Sequence, residues 1–336
     1  MIKSVEIYIG KEQLFKSPKL YAFKAYFESL LGYSQQAKKT ILSSALWETD
    51  DAERAKTISP LSSTTDKTKG KIIEMMGRLH TDLTYQSKAM LGGCDIDIEI
   101  EFNKPEFFLQ YDSEKYSASI KLIDCYLEVT GVKVSPAIVQ AHTKALQVGT
   151  AKYSISRGDV KTFLIPSGIK QHLEDHVITG QLPRRITFGL IAHEAFNGSF
   201  KTQPYSFAPH KLNYLVCYLN GIQFPSVALK PDFDNELYIR EYTNFLRALN
   251  QNSTDALLSI TKDDYKKNFC LYSFNFAPDL SNGISVNGHA NPIEYGNLRI
   301  QFGFSDTLSS PINVVLYPEF DTVIELTEHR KPILTF

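Results

Sequence analysis

Between Ile96 and Phe102 every second residue is apolar: Ile96, Ile98, Ile100 and Phe102 alternate with Asp97, Glu99 and Glu101. A period of two puts all four apolar side chains on one side of an extended chain and all three acids on the other, the pattern of a half-buried β-strand. No helix can use it. The amino terminus alternates in the same way, with Val5, Ile7 and Ile9 on one side and Ser4, Glu6 and Tyr8 on the other. The aromatic content agrees: 21 Phe and 18 Tyr stand against one Trp and four Met, and flat rings pack well on pleated surfaces. The sequence therefore predicts an all-β protein with a few short helices.

Further strands are expected at Ile72–Leu83, Glu106–Tyr111 and Tyr116–Val129 in the first half. In the second they are expected at Val160–Ile165, Arg185–Ile191, Leu212–Leu219, Cys270–Phe276, Leu298–Phe304, Ile312–Leu316 and Thr322–Leu326. Short strands set off by Pro, Gly and Asn turns suit antiparallel sandwiches. Helical periods interrupt them. Phe23, Tyr26, Phe27, Leu30 and Leu31 share one face, with a shorter helix around Ala37–Ala45, which places a helical insertion at about 22–46. Pro136 opens a helix whose apolar side is Ile138, Val139, His142 and Leu146 and whose stop is Gly149. A third helix spans about 237–249, with Tyr238, Tyr242, Phe245, Leu246 and Leu249 on one face and Asp234 and Asn235 as candidate caps. For Tyr238 and Phe245 the favoured role is packing on their own sheet. Residues 48–71 are rich in Ser, Thr, Lys and Asp and read as a mobile exposed loop. The break between domains is expected at Gly149-Thr150, giving a first unit of residues 1–149 and a second of 150–336.

With 36 Lys+Arg against 37 Asp+Glu the net charge is −1, which lacks the basic excess that phosphate contacts demand of a nucleic-acid-coating protein. The longest clean apolar run, Tyr214–Leu219, is far too short to span a bilayer. MIKSVEIYIG is no signal peptide, so an intracellular chain is expected and the sequons at Asn197 and Asn252 read as coincidences. The widely spaced Cys94, Cys125, Cys217 and Cys270 read as reduced core residues. Paired spacing for zinc is lacking.

Motifs for chemistry are weak. His172 and His176 are four apart and could share a metal on a helix, with His193 or His210 as a third ligand, but Glu174 does not sit where a metalloprotease needs its acid. His193-Glu194 runs into the turn signal Phe196-Asn197-Gly198. Lys67, Lys69 and Lys71 flank Gly70 without the preceding glycines of a phosphate cradle, and Asp263-Asp264 and Asp232 with Asp234 lack the spaced ligands of a calcium loop. No catalytic, cofactor-binding or metal residue is assigned, and no enzyme is expected.

Ordered motifs carry more. Gly180-Gln-Leu-Pro-Arg-Arg-Ile-Thr-Phe-Gly-Leu, then Ala195-Phe-Asn-Gly-Ser and Pro204-Tyr-Ser-Phe, resemble the central signature of the major capsid proteins of Maverick/Polinton elements and their adintovirus relatives. Leu219-Asn-Gly, Leu229-Lys-Pro-Asp-Phe, Tyr238-Ile-Arg-Glu-Tyr, Leu271-Tyr-Ser-Phe, Pro278-Asp-Leu, Gly296-Asn-Leu-Arg and Tyr317-Pro-Glu-Phe-Asp follow in order. The first half is similar at Tyr26-Phe-Glu-Ser-Leu-Leu-Gly-Tyr, Ala37-Lys-Lys, Met76-Gly-Arg-Leu-His, Lys133-Val-Ser-Pro and Gly149-Thr-Ala-Lys-Tyr. The chain departs from the family at Ala192-His193-Glu194, where members are acidic, and at Asn282–Asn291.

This resemblance implies a double jelly roll, two tandem sandwiches, with three subunits making a pseudo-hexagonal, hexon-like capsomer of an icosahedral shell. It implies self-association, contacts with neighbouring capsomers and a penton-type protein, a location in the virion, and no catalytic residues. Members carry strands before the segment matching Val5–Ile9, so the first jelly roll is expected to be incomplete, as in a truncated copy or an endogenous remnant. The alternative is a host-retained jelly-roll binding protein.

Overall fold

The computed structural model describes residues 1–16, 19–47, 72–109, 119–251, 258, 260–282, 284 and 291–335. In chain order the elements begin with β1 (Ile2–Ile9), β2 (Glu12–Lys16), α1 (Tyr21–Gly32), α2 (Gln35–Lys39), a 3-10 turn at Ile41–Ala45 and another at Asp82–Tyr85. They continue with β3 (Ile96–Phe102), α3 (Pro105–Phe108), α4 (Pro136–Val148), β4 (Ala151–Gly158), β5 (Lys161–Ile165), β6 (Gln171–Gln181), β7 (Arg185–Ala192) and α5 (His193–Asn197). Last come β8 (Leu212–Leu219), β9 (Ile222–Leu229), α6 (Ile239–Ala248), α7 (Lys262–Lys267), β10 (Leu271–Asn275), β11 (Tyr295–Phe304), β12 (Ile312–Leu326) and β13 (Pro332–Thr335). The protein is thus mostly antiparallel β-sheet with a few short helices, as its alternation predicts.

The second half is a two-sheet sandwich. A four-stranded sheet, β6-β11-β8-β9, faces a six-stranded one built on β10-β7-β12, with β4, β5 and β13 also paired to β12. Phe188, Leu190, Leu215, Phe302 and Val314, all inaccessible to water, fill the space between them. The β8–β9 hairpin turns at Asn220-Gly221, both at positive φ, the tight two-residue connection that matches strand twist. Gly189 in β7 lets the ring of Phe207 lie against the strand, since a Cβ there would overlap that ring and come within 2.8 Å of Leu271.

Two expected strands, Ile312–Leu316 and Thr322–Leu326, are one 15-residue strand. Pro318 lies between them without breaking β12. On one side β12 pairs with β7 throughout Ile312–Glu319, while on the other β5 ends opposite Leu316 and β4 begins opposite Glu319. The Pro318 carbonyl accepts Asp159 N–H from the turn between those two strands, so the missing N–H falls where the ladder is already interrupted.

The first half holds one three-stranded sheet, β2-β1-β3, among the described residues. Its buried side, Val5, Ile7 and Ile9, packs with Tyr153 and Ile155 of β4 and Ile324 and Leu326 of β12. α1 turns the other way: Phe23, Phe27 and Leu30 join the core of the second sandwich.

Several expectations fail here. Residues 72–81 are irregular and end in the 3-10 turn, and Pro105 opens α3 where a strand was expected from Glu106. Of Tyr116–Val129, residues 119–129 are described and form no strand, for want of a neighbouring strand to pair with. The four Cys do not share one environment: Cys217 and Cys270 are buried, Cys94 is half-buried and Cys125 is exposed. Asp234 and Asn235 cap nothing; α6 begins after Tyr238 without a side-chain cap. Residues 48–71 lie outside the described residues. Tyr238 and Phe245 are fully buried on their own unit, as expected.

Phe27 is inaccessible, stacks on Tyr317 at 5.6 Å and meets the tilted ring of Phe207 at 5.6 Å. Truncating so large a buried ring costs about 3–5 kcal/mol. Phe27→Ala is therefore expected to lower the urea midpoint of the second sandwich as well as of the first unit, read as one shifted transition by tryptophan fluorescence and circular dichroism.

Candidate functional site: buried clasps between distant segments

The residues with chemical potential separate in the structure. His172 and His176 fall on β6, not on a helix, so four residues separate them by about 13 Å along the strand. His172 Nε2 lies 3.0 Å from Glu174 and His176 Nδ1 lies 3.3 Å from Asn297 Oδ1. His193 opens α5, with its ring nitrogens at 2.7 Å from Asn313 Oδ1 and 2.9 Å from Asn197 Nδ2. His210 is held at positive φ before β8, and burial pulls its imidazole below the ordinary range. Among the described residues no three His, Cys, Asp or Glu side chains cluster as metal ligands would. The aspartates serve turns: Asp232 accepts from Asn235 N and Nδ2 at 3.1 and 2.8 Å, and Asp264 N–H is capped by Thr261 Oγ1 at 3.2 Å, opening α7. Lys67, Lys69, Gly70 and Lys71 lie outside the described residues. Cys217 and Cys270 are inert: burial pushes the Cys270 thiol up to about 12 and Cys217 up as well.

What the structure does bring together is the set of ordered motifs. Glu28 and Ser29 of α1 meet His80 from the Met76–His80 segment, with His80 Nδ1 2.8 Å from Glu28 Oε2 and Nε2 3.4 Å from Ser29 Oγ. One turn earlier, Lys24 is fully buried. Its Nζ donates to Asp82 Oδ1 at 2.5 Å and to the Gly158 carbonyl at 2.8 Å, and the same Asp82 oxygen accepts Gly158 N–H at 3.1 Å. Glu28 Oε1 lies 3.6 Å from Lys24 Nζ and accepts from Tyr317 OH at 3.3 Å. Gly158 cannot be larger, because a Cβ would overlap the Tyr317 ring. The helix, the 3-10 turn, the β4–β5 corner and β12 are thereby fixed to one another. Burial, with the Glu28 carboxylate behind it, pushes Asp82 up against the pull of Lys24. For Lys24 burial acts downward but is outweighed by Asp82 and Glu28, which hold the ammonium above its usual range.

A second clasp joins Arg184-Arg185 of β7 to Glu319 and Asp321 of β12. Arg185 grips Glu319 with both prongs, Nε to Oε2 and Nη2 to Oε1 at 2.9 Å, while Arg184 lies 3.5 Å from Glu319 and from Asp321 and donates to the Ser281 carbonyl at 2.9 Å. Burial pushes Glu319 upward, but the two guanidiniums outweigh it and hold the carboxylate below its usual range. A third clasp is aromatic. Tyr205 stacks on Tyr26 at 4.4 Å, Phe196 on Phe23 at 5.5 Å, and Phe107 meets Phe23 edge-on at 5.8 Å. Gly198, at φ +93°, admits the Phe107 backbone at 3.0 Å from where a Cβ would sit. Periodicity could not find these pairings, since each joins segments far apart in the chain.

Removing one partner of a buried ion pair costs about 3–5 kcal/mol because the other is left charged and unpaired. Lys24→Met is expected to lose that much by urea titration, and Lys24→Met combined with Asp82→Leu to recover most of it. Glu319, with its folded pKa depressed, contributes stability above its unfolded value of about 4.3 and loses it as pH falls through the folded pKa. The stability gap between the native chain and Glu319→Gln is therefore expected to be constant from pH 7 to about 5 and to close below about pH 4, in urea midpoints measured across that range.

No protein-family model matches the chain. It is 22% identical over 339 aligned positions to an uncharacterized protein of Caenorhabditis elegans, covering 99% of this chain and 79% of that one. Among solved structures it is similar to a quasi-atomic model of the PBCV-1 virus capsid, at 11% identity and a TM-score of 0.46 over 100% of this chain and 83% of that one. The Sputnik virophage structure gives 8% identity and 0.46 over 100% and 74%, and the mavirus major capsid protein 12% and 0.37 over 100% and 77%.

Proposed function

We propose that this chain is a structural, non-enzymatic shell subunit: a double-jelly-roll, hexon-like major capsid protein of the Polinton/adintovirus type. In this reading residues 1–149 form the first jelly roll and 150–336 the second. Three copies make a pseudo-hexagonal capsomer, whose partners are neighbouring capsomers and a penton-type protein in the virion.

One observation carries it. The motifs through which the sequence resembles those capsid proteins lie in both units, and their charged and aromatic residues are used to hold one segment to another. Glu28 and His80, Arg185 and Glu319, and Tyr26 and Tyr205 each pair two separate motifs. A motif set retained for catalysis would converge instead on an open site with reactive groups aimed into it. Rigid sandwiches with internal clasps suit a tile, whose work is to present the same surfaces to each neighbour. The near-neutral total of −1 supports no dedicated nucleic-acid contact, and no described helix is long and apolar enough to cross a membrane.

Three-fold closure requires heterologous contacts around a ring, and obligate interfaces of this kind bury upwards of about 2,000 Å². Sedimentation equilibrium of the purified chain is expected to give three times 38.0 kDa, with three-lobed particles of pseudo-hexagonal outline by negative-stain microscopy. A stable monomer at all concentrations would overturn the proposal in favour of a jelly-roll binding protein.

A further inference from the structure

Residues 119–148 form an arm. Every residue from 119 to 149 is exposed except Leu146, and among the described residues the backbone from 119 to 134 makes no backbone hydrogen bond to another segment. Yet Ile123, Cys125, Leu127 and Val129 alternate with Asp124, Tyr126, Glu128 and Thr130, the pattern of a strand with one buried side. Ile123 is 71% exposed and Val129 78%. Among the described residues there is also a sheet edge that lacks a strand. β3 pairs only with β1, and its apolar side is open, with Phe102 44% exposed. A free edge beside an uncovered apolar face is a template for strand addition.

We propose that the run Ile123–Val129 adds to the free edge of β3 in a second copy of this chain. In the antiparallel register that sets Phe102 opposite Ile123, the four apolar residues of each strand pair one to one, down to Ile96 opposite Val129, with Ile100 facing Cys125. A slip of one residue toward Thr130 would set Phe102 against Asp124 and Ile98 against Glu128, and Cys125, Leu127 and Val129 against Glu101, Glu99 and Asp97, so it is disfavoured. The occupant is another copy and not the chain's own arm because the segment leaving β3 does not turn back along it. It passes into α3, where Leu109 is buried and Phe107 is pinned against Phe23 and Gly198. Donor strand and acceptor edge lie on one chain, so copies can exchange arms in a two-fold pair or pass them head-to-tail around a ring. The opposite sides of the two strands are both acidic, Asp97, Glu99 and Glu101 against Asp124 and Glu128. The association therefore strengthens as salt screens them.

The inference rests on the self-association just proposed, and its test separates the two. Ile100→Cys is introduced in a Cys94→Ser background, and two copies carrying tags of different size are mixed and mildly oxidised. A disulfide between the introduced thiol of one copy and Cys125 of the other, located by peptide mapping, is the expected result. A crosslink within single copies only, or an oligomer in which these thiols do not join, overturns the exchange and leaves the shell-subunit reading intact; a monomer overturns both. Leu127→Asp, on a residue already 55% exposed, is expected to keep the circular-dichroism spectrum of the native chain while weakening association at least tenfold. An unchanged association constant would also overturn the exchange.

Discussion

An ammonium with no access to water has to be satisfied by the protein, and Lys24 is such a group. Its three donors cannot be left idle in a low-dielectric interior, where an unpaired charge costs several kcal/mol. They find Asp82, Glu28 and the Gly158 carbonyl, and each of those belongs to a different stretch of chain or a different turn of helix. The position of α1, the existence of the 3-10 turn at Asp82 and the sharp corner between β4 and β5 all follow from meeting that one demand. Gly158 shows how closely the parts are fitted, since it must leave room for Tyr317 while giving both its N–H and its carbonyl to the pair.

The same constraint settles where the units meet. α1 is sequentially part of the first half, but Phe23 and Phe27 complete the core of the second, while β4 and the end of β12 complete the core of the first. Each unit lends an element to the other. β12 is the shared piece: its first half is locked between β7 and β5, and its second carries β4 and β13. The Lys24 ammonium on the Gly158 carbonyl and the stack of Tyr26 on Tyr205 tie the first half directly to the second.

The sequence makes local, periodic features legible and leaves the rest obscure for identifiable reasons. Ile96–Phe102 and the helix around Phe23 are plain because their apolar residues recur at a period of two or of 3.6, and Leu212–Leu219 because it is a short, nearly continuous apolar run. β6 escaped notice because most of it is half-exposed and polar, and its His172 and His176 suggested a helix face where there is a strand. β9 was hidden by Pro225 and by exposed residues on both sides. Pro318 makes β12 read as two strands, because nothing in one strand's sequence shows that its neighbour changes from β5 to β4 at that point. The clasps are non-local by nature. Glu28 and Arg185 were visible as members of motifs, but only the fold puts Glu28 against His80 and Arg185 against Glu319.

The two units also differ in how far their hydrogen bonding and burial are satisfied. The second sandwich closes two sheets on a continuous core, with Arg184 and Arg185 paired to Glu319 and Asp321 inside it. The described part of the first has a single sheet with an open edge, and the 119–134 stretch has a strand's pattern and no sheet. Stability in such a chain is graded. The second sandwich, with α1 seated in its core, is closed, but the first keeps apolar area and backbone groups in water until something covers them. Covering them by another copy couples the last step of folding to the first step of assembly, because the surface that is unsatisfied in the single chain is the one whose burial the contact supplies. Lengthening or shortening the run at Ile123–Val129 would therefore act on the association constant and on the stability of the chain together, while the Arg185–Glu319 clasp, which lies within the second sandwich, would keep its geometry.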